Sequence, residues 1–360
     1  MKAAVCYEIG KPLVIEDIDI AQPGYGEVMM KVGATAVCHS DIHLIKGEFP
    51  GTIPIVAGHE SAGYIEKIGP GVTGFQVGDR VIASLLLSCG ECVYCTTGRP
   101  NLCEKVWPRD AVPPYKNKNG EALNQAFLVG SFSEYTIIDR SQLVKIPDNM
   151  PFDKACLLSC GVITGFGAVV WRAKVALGKS CVIIGAGGVG LNSIQGAHLV
   201  SAYPIIAIDI NDKKLEAARK FGATHTINSS KTDPAEVVKS LTGGRGAEYV
   251  FITVGSSKVM SQSIELSCPG GMIVWVGLPK ITETIPLSPY DFIKPERTLT
   301  GSYMGSTNLQ NDIPRLINLY QAGKLKLDEL ITRHYRLEEI NEAISAVERG
   351  EALRNIIMFE

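Results

Sequence analysis

The run Ser180-Cys181-Val182-Ile183-Ile184 passes directly into Gly185-Ala186-Gly187-Gly188-Val189-Gly190, and an amphipathic stretch follows to Leu199. No other stretch restricts the fold as tightly. A buried strand must turn at once into a helix, with glycine at the first, third and sixth positions. Gly185 permits the tight turn, Gly187 lets a ligand approach the backbone, and Gly190 lets the helix lie close on the strand. The helix start, with Gly188 and Val189, offers free N–H groups and a positive dipole end to a pyrophosphate. The next strand, Ile205-Ile206-Ala207-Ile208-Asp209, ends in a carboxylate about 20 residues on, where an acid accepts from both ribose hydroxyls. A carboxylate there repels a 2′-phosphate, so the pattern favours NAD over NADP.

The surrounding chain agrees with a parallel sheet. A helix over 212–221 places Leu215, Ala218 and Phe221 on one face. Apolar strands at 249–252 and 272–276 alternate with helical segments, as in βαβ units covered on both faces. Helices are also expected from 153, over 165–174, over 312–322 and over 337–349. Before residue 150 the pattern is different. Short strands at 3–7, 13–16, 27–32, 61–69, 77–82 and 132–138 are broken by Gly and Pro, which points to an all-β domain with a partly closed barrel. Residues 106–126 are polar and proline-rich and read as a long surface loop. The chain closes with a lone strand at 355–359, for which the N-terminal β-domain is the expected partner.

The 360 residues suffice for about two domains. A net charge of −2 argues against a nucleic-acid binder, and no stretch approaches the roughly 20 apolar residues of a membrane span. Ten cysteines without a recognisable leader point to reduced thiols in the cytoplasm, used for metal or catalysis.

Those cysteines fall into groups. Cys89, Cys92, Cys95 and Cys103 lie at separations of three, three and eight. Four thiolates leave no position for water, so a closed structural zinc site is expected; disulfides and a nucleic-acid-binding zinc ribbon are the alternatives. The stretch Cys38-His39-Ser40-Asp41-Ile42-His43, with Gly58-His59-Glu60, offers a thiolate, an imidazole and a carboxylate. It lacks a third protein ligand. Cys160, where the β pattern gives way to the alternating one, is a candidate for it. A buried apolar cysteine is the competing reading of Cys160, as for Cys156, Cys181 and Cys268.

On these residues the chain resembles the medium-chain, zinc-dependent alcohol dehydrogenase family over its whole length. The resemblance implies a mixed α/β protein. A GroES-like β-barrel catalytic domain would span residues 1–161 and 304–360, with a structural zinc lobe at 88–104, and a Rossmann doubly wound NAD-binding domain would span 162–303. It implies two zincs per chain, the catalytic one on Cys38, His59 and Cys160. Glu60 would stand beside that zinc as an occasional ligand or electrostatic modulator, and Asp41 would orient His59. Ser40 would bond the alcohol oxygen, and His43 would complete a proton relay to solvent. His39 and Arg354 would approach the pyrophosphate. Lys214 would flank the ribose beside Asp209, and Thr164 and Val189 would press the nicotinamide towards the substrate. Zinc would make the alcohol acidic and hydride would pass to NAD.

Phe49, Leu85, Trp107, Tyr303 and Met304 would line an apolar pocket for primary or aromatic alcohols; secondary alcohols remain within the same chemistry. The glutathione-dependent formaldehyde branch usually has tyrosine at His43 and an acid at Phe49, so this chain departs from it. A polyol or thiol-adduct dehydrogenase and a non-catalytic zinc-and-NAD protein are the rival readings. The family implies a homodimer, or a tetramer, with no membrane or nucleic-acid partner.

Overall fold

The computed structural model describes residues 1–105 and 112–359. Two compact units emerge, Met1–Cys160 with Asn308–Glu360, and Gly161–Thr307. The divisions fall one and four residues from the boundaries expected from sequence.

The first unit is built around the long strand Glu27–Ala36. It pairs antiparallel with Glu60–Ile68 along one edge and with Tyr135–Asp139 and Arg354–Met358 along the other. Val28, Met30 and Val32 alternate inward and join Ile65, Val81, Ile138 and Leu143 in a closed core. The terminal strand does find the expected partner: Ile356 stands opposite Ala36 and Met358 opposite Ala34. It also pairs in parallel with Ile331–Tyr335, a strand the sequence hid. Three of that strand's five residues are exposed, so no alternation of apolar residues marks it.

The loop expected over 106–126 needs correction. Residues 106–111 lie outside the described residues, but Tyr115–Lys116 and Ala122–Gln125 form an antiparallel pair within a second, six-stranded sheet. Tyr115 and Leu123 are fully buried there. Each strand carries too few apolar residues to show a period, and tertiary burial recruits them.

The second unit is a six-stranded parallel sheet. Its order is His225–Asn228, Ile205–Asp209, Cys181–Ile184, Ala247–Ile252, Ser267–Trp275 and Thr298–Gly301. This is the doubly wound order, with the strand reversal beside Cys181–Ile184. The four central strands match apolar runs in the sequence. The edge strands His-Thr-Ile-Asn and Thr-Leu-Thr-Gly do not, because an edge is only half buried and tolerates polar residues. The helix Gly188–Leu199 begins within the glycine motif, three residues before the stretch expected to be helical. The helix expected over 165–174 is Gly161–Gly167, continued as a π-turn through Arg172. Among the described residues no single helix is long and apolar enough to cross a membrane.

Candidate functional site

Helix α1, His39–Ile45, begins where Cys38 caps it. Asp41, at the third helical position, is fully buried and accepts from the Cys38 amide at 3.2 Å. Its other oxygen accepts from the Gly58 amide at 3.0 Å and bonds His59 Nδ1 at 2.9 Å. One carboxylate thus locks the helix start, a distant turn and an imidazole together. As an acceptor it holds the hydrogen on Nδ1 and leaves Nε2 as the donor atom for a metal. The turn requires glycine at 58: φ is +92°, and a Cβ would meet the Phe132 ring and amide at 2.6 Å.

His59 Nε2 lies 3.3 Å from Cys160 Sγ. Cys160 follows the short turn Cys156–Ser159, which Ser84 anchors by donating to the Ser159 carbonyl at 2.7 Å. Cys38, His59, Glu60 and Cys160 each turn a ligand atom inward, all within 4.8 Å of one another and all buried. One Glu60 oxygen pairs with Arg354, while Oε1 is buried and has no hydrogen-bond partner among the described residues. Burial works against charge on His59, yet Asp41 and the Cys38 sulfur outweigh it and raise its pKa to about 10. The Cys160 thiol donates to Cys38 and, with His59, draws the Cys38 thiol well below its usual range against burial. Two sulfurs and an imidazole that compete for protons in a dry pocket are the donors zinc prefers, and binding of a cation would release those protons.

The second cluster is local. Cys89, Cys92, Cys95 and Cys103 also place their sulfurs within 4.8 Å of one another. The Cys89 amide donates to Cys103 Sγ and the Cys92 amide to Cys89 Sγ, both at 3.3 Å. Backbone amides of Glu104 and Cys95 pull the Cys92 thiol down to about 6. Burial instead raises the Cys95 and Cys103 thiols, so a bound zinc would have to displace their protons.

In the second unit the glycine turn has the shape its spacing implies. Gly185 has φ +94°, and a Cβ at Gly190 would meet the Gly185 carbonyl at 1.7 Å. A Cβ at Gly187 would meet nothing within 4 Å among the described residues, which leaves room for a phosphate at the helix start. Asp209 accepts from the Ala186 amide at 2.7 Å and the Asn211 amide at 2.9 Å, one on each oxygen. Each oxygen keeps a lone pair for a ribose hydroxyl. Lys214 lies half-buried on the first turn of the helix Asp212–Lys220. Gly165 brings the helix Gly161–Gly167 against the Val189 carbonyl, where a Cβ would stand 2.0 Å away. Thr164, on the same helix, donates to Met304 Sδ at 3.6 Å. These residues fit a bound dinucleotide.

The remaining sequence candidates distribute unevenly. Ser40 is half-buried and His39 exposed on the first turn of α1. Arg354, expected at a pyrophosphate, is buried and its guanidinium engages Glu60. Phe49 packs against the barrel core and stands 5.0 Å from the His43 ring, so it backs that imidazole. Leu85 is half-buried against the core of the long-strand sheet. Tyr303 is exposed and Met304 buried, both in the second unit. Trp107 lies outside the described residues.

Two residues were not expected. Phe127 adopts a left-handed φ of +52° and sets its ring 4.7 Å from His59. Such a conformation in a bulky residue marks a site where the fold holds a side chain against its preference. Glu48 bonds His43. No local pattern announces Phe127; the glycine before Glu48 could have disclosed the second.

Two family models match the chain. Residues 24–148 match the family model described as an alcohol dehydrogenase GroES-like domain, and residues 188–322 the one described as a zinc-binding dehydrogenase. An NDMA-dependent alcohol dehydrogenase of Amycolatopsis methanolica is 40% identical over 365 aligned positions, covering 99% of this chain and 98% of the relative. A benzyl alcohol dehydrogenase of Acinetobacter calcoaceticus superposes with a TM-score of 0.93 at 35% identity, covering 100% and 99% of the two chains. An alcohol dehydrogenase zinc-binding domain protein of Burkholderia ambifaria superposes with a TM-score of 0.95 at 32% identity, covering 100% and 98%.

Proposed function

The chain belongs to the medium-chain, zinc-dependent alcohol dehydrogenase family, and we propose that it oxidises primary, including aromatic, alcohols with NAD as hydride acceptor. The observation that carries this reading is the buried convergence of Cys38, His59 and Cys160, with Asp41 fixing the imidazole. These three residues would hold the catalytic zinc, and Cys89, Cys92, Cys95 and Cys103 a second, structural one. Bound zinc supplies Lewis acidity that stabilises an alkoxide, and bound NAD supplies the hydride acceptor.

The chain's own residues do the rest. Asp41 keeps His59 in the ligating tautomer. Glu60, held by Arg354, places negative charge beside the ligand set and moderates its field. Ser40 would accept the alcohol proton and pass it towards His43, whose ring is half-exposed and reaches water. Gly185, Gly187, Gly188, Val189 and Gly190 would hold the pyrophosphate. Asp209 and Lys214 would hold the adenosine ribose, and Thr164 and Val189 the nicotinamide. The relative named for benzyl alcohol supports an aromatic substrate, and Phe127 against His59 supplies an apolar wall of suitable chemistry. These relatives do not favour a polyol or thiol-adduct enzyme, or a non-catalytic protein.

A relative named for NDMA dependence favours a second reading, in which NDMA is the productive acceptor. Ten free cysteines suit a reducing cytoplasm. A homodimer through the edge strand Thr298–Gly301 is the assembly we favour, with exposed Tyr290 and Ile293 near it in the sequence. One experiment separates the acceptors. Purified enzyme is assayed with benzyl alcohol, ethanol and a polyol, with NAD or with NDMA. Accumulation of reduced nicotinamide supports the first reading; turnover with NDMA alone replaces it with the second. Absence of turnover with either sinks both.

A further inference from the structure

The end of α1 carries an arrangement that the zinc and nucleotide sites do not explain. Lys46 caps the helix, Gly47 follows with φ +71°, and Glu48 comes next. The Gly47 amide donates to the Leu44 carbonyl at 3.0 Å and the Glu48 amide to the His43 carbonyl at 2.8 Å. This pair of bonds is a Schellman motif, closed by backbone alone. Such a motif brings the side chain two residues past the cap onto the side chain of the third-last helical residue, and the usual contact there is apolar. Here the two positions hold a carboxylate and an imidazole. Glu48 Oε2 lies 2.5 Å from His43 Nδ1. On the other flank the Phe49 ring stands 5.0 Å from the imidazole, tilted by 32°. The side chains of His43 and Glu48 are 29% and 23% exposed, so the pair sits where water reaches it.

We propose that Glu48 is the positioning residue of the proton exit, holding His43 by its Nδ1 so that Nε2 is the nitrogen that takes the proton. The proposal rests on the assignment of His43 to that exit. An ionised carboxylate only accepts, so its partner nitrogen carries the hydrogen and the opposite nitrogen is left bare. The same logic orients the histidine of a hydrolytic triad through a carboxylate. The turn does not need the side-chain bond, because its backbone bonds already close it. On this proposal Glu48 acts through His43, as a positioning residue. Gly47 is part of the device: besides its left-handed φ, a Cβ there would meet Ile9 Cγ2 at 2.9 Å.

The test uses zinc-loaded enzyme with alcohol and NAD, comparing wild type, His43→Ala, Glu48→Gln, Glu48→Leu and His43→Ala/Glu48→Leu. Glu48→Gln keeps an acceptor for Nδ1–H and stays within about threefold of wild type. Glu48→Leu loses on the order of tenfold in kcat, a part of the 10²–10⁴ that a positioned proton acceptor contributes. The double variant is no slower than His43→Ala, because a residue that works only through His43 has nothing left to position. Additive losses, or Glu48→Leu at wild-type rate, overturn the proposal. An unaltered His43→Ala removes the proton-exit assignment itself and the proposal with it; a slow His43→Ala beside an unaltered Glu48→Leu removes only the role of Glu48. Should Glu48→Leu not fold, the ¹⁵N imidazole signals of His43 in the wild type decide. A protonated Nδ1 with bare Nε2 supports the proposal, and the opposite tautomer overturns it.

Discussion

The two ligand clusters are equally tight, each with its donor atoms within 4.8 Å, and differ in almost everything else. Cys89, Cys92, Cys95 and Cys103 come from one short lobe, two of them in or beside the helical turn Val93–Thr96. Cys89, Cys92 and Cys95 are half-buried, and backbone amides of the lobe itself reach the sulfurs. Cys38, His59, Glu60 and Cys160 come from a helix cap, a turn, a strand start and a turn more than a hundred residues downstream, and all four are buried. A local site needs its own chain to curl; an assembled site needs the sheet to be right first. If the buried set serves the reaction and the lobe only the fold, losing the two clusters has separable effects.

The sharpest way to break this contrast is Cys160→Ala. Zinc content falls from two per chain to one, and kcat/KM for alcohol oxidation falls by at least about 10³, since the open-sided metal supplies several kcal/mol of charge stabilisation. Two zincs retained after this change, by elemental analysis, would sink the ligand assignment. Asp41→Asn comes next. It leaves both clusters' ligands in place but removes the acceptor that fixes His59, so zinc at the buried set binds about 10–100-fold more weakly in chelator competition. The lobe's zinc is unmoved, and an equal loss at both sites would contradict the division. Cys103→Ala has the smallest effect on rate: kcat stays within about threefold at ambient temperature, and the melting temperature falls by roughly 5–10 °C as the lobe loses its cation. Loss of activity in step with loss of that zinc would show that the lobe serves the reaction directly.

Sequence and structure agree most where signals are local. The strand–glycine–helix turn, Asp209 at the next strand end and the four-cysteine spacing are each contained in a few dozen residues or fewer, and each has the geometry its residues imply. Agreement fails where an element owes its existence to neighbours. The strands Ile331–Tyr335, His225–Asn228 and Thr298–Gly301 are polar or half-exposed, and pairing with an existing sheet creates them. Tyr115 and Leu123, read as loop, are among the most buried residues of the first unit. Glu48 was legible in principle, since a glycine just past a helix cap predicts which side chains the turn brings together.

What the sequence determined by itself is the chemistry available and the local turns that present it: glycines shaping a phosphate-binding start, an acid at the next strand end, and a thiolate quartet on one lobe. The tertiary structure brings Cys160 to Cys38 and His59, a meeting that the family resemblance implied and no local pattern fixes, and it alone decided that Arg354 spends its charge on Glu60 and that Phe127 is held against its preferred backbone beside His59. The reason is physical. A turn or cap is fixed by hydrogen bonds within a few residues, whereas a meeting of residues a hundred or more positions apart costs chain entropy that only the burial of a whole core repays.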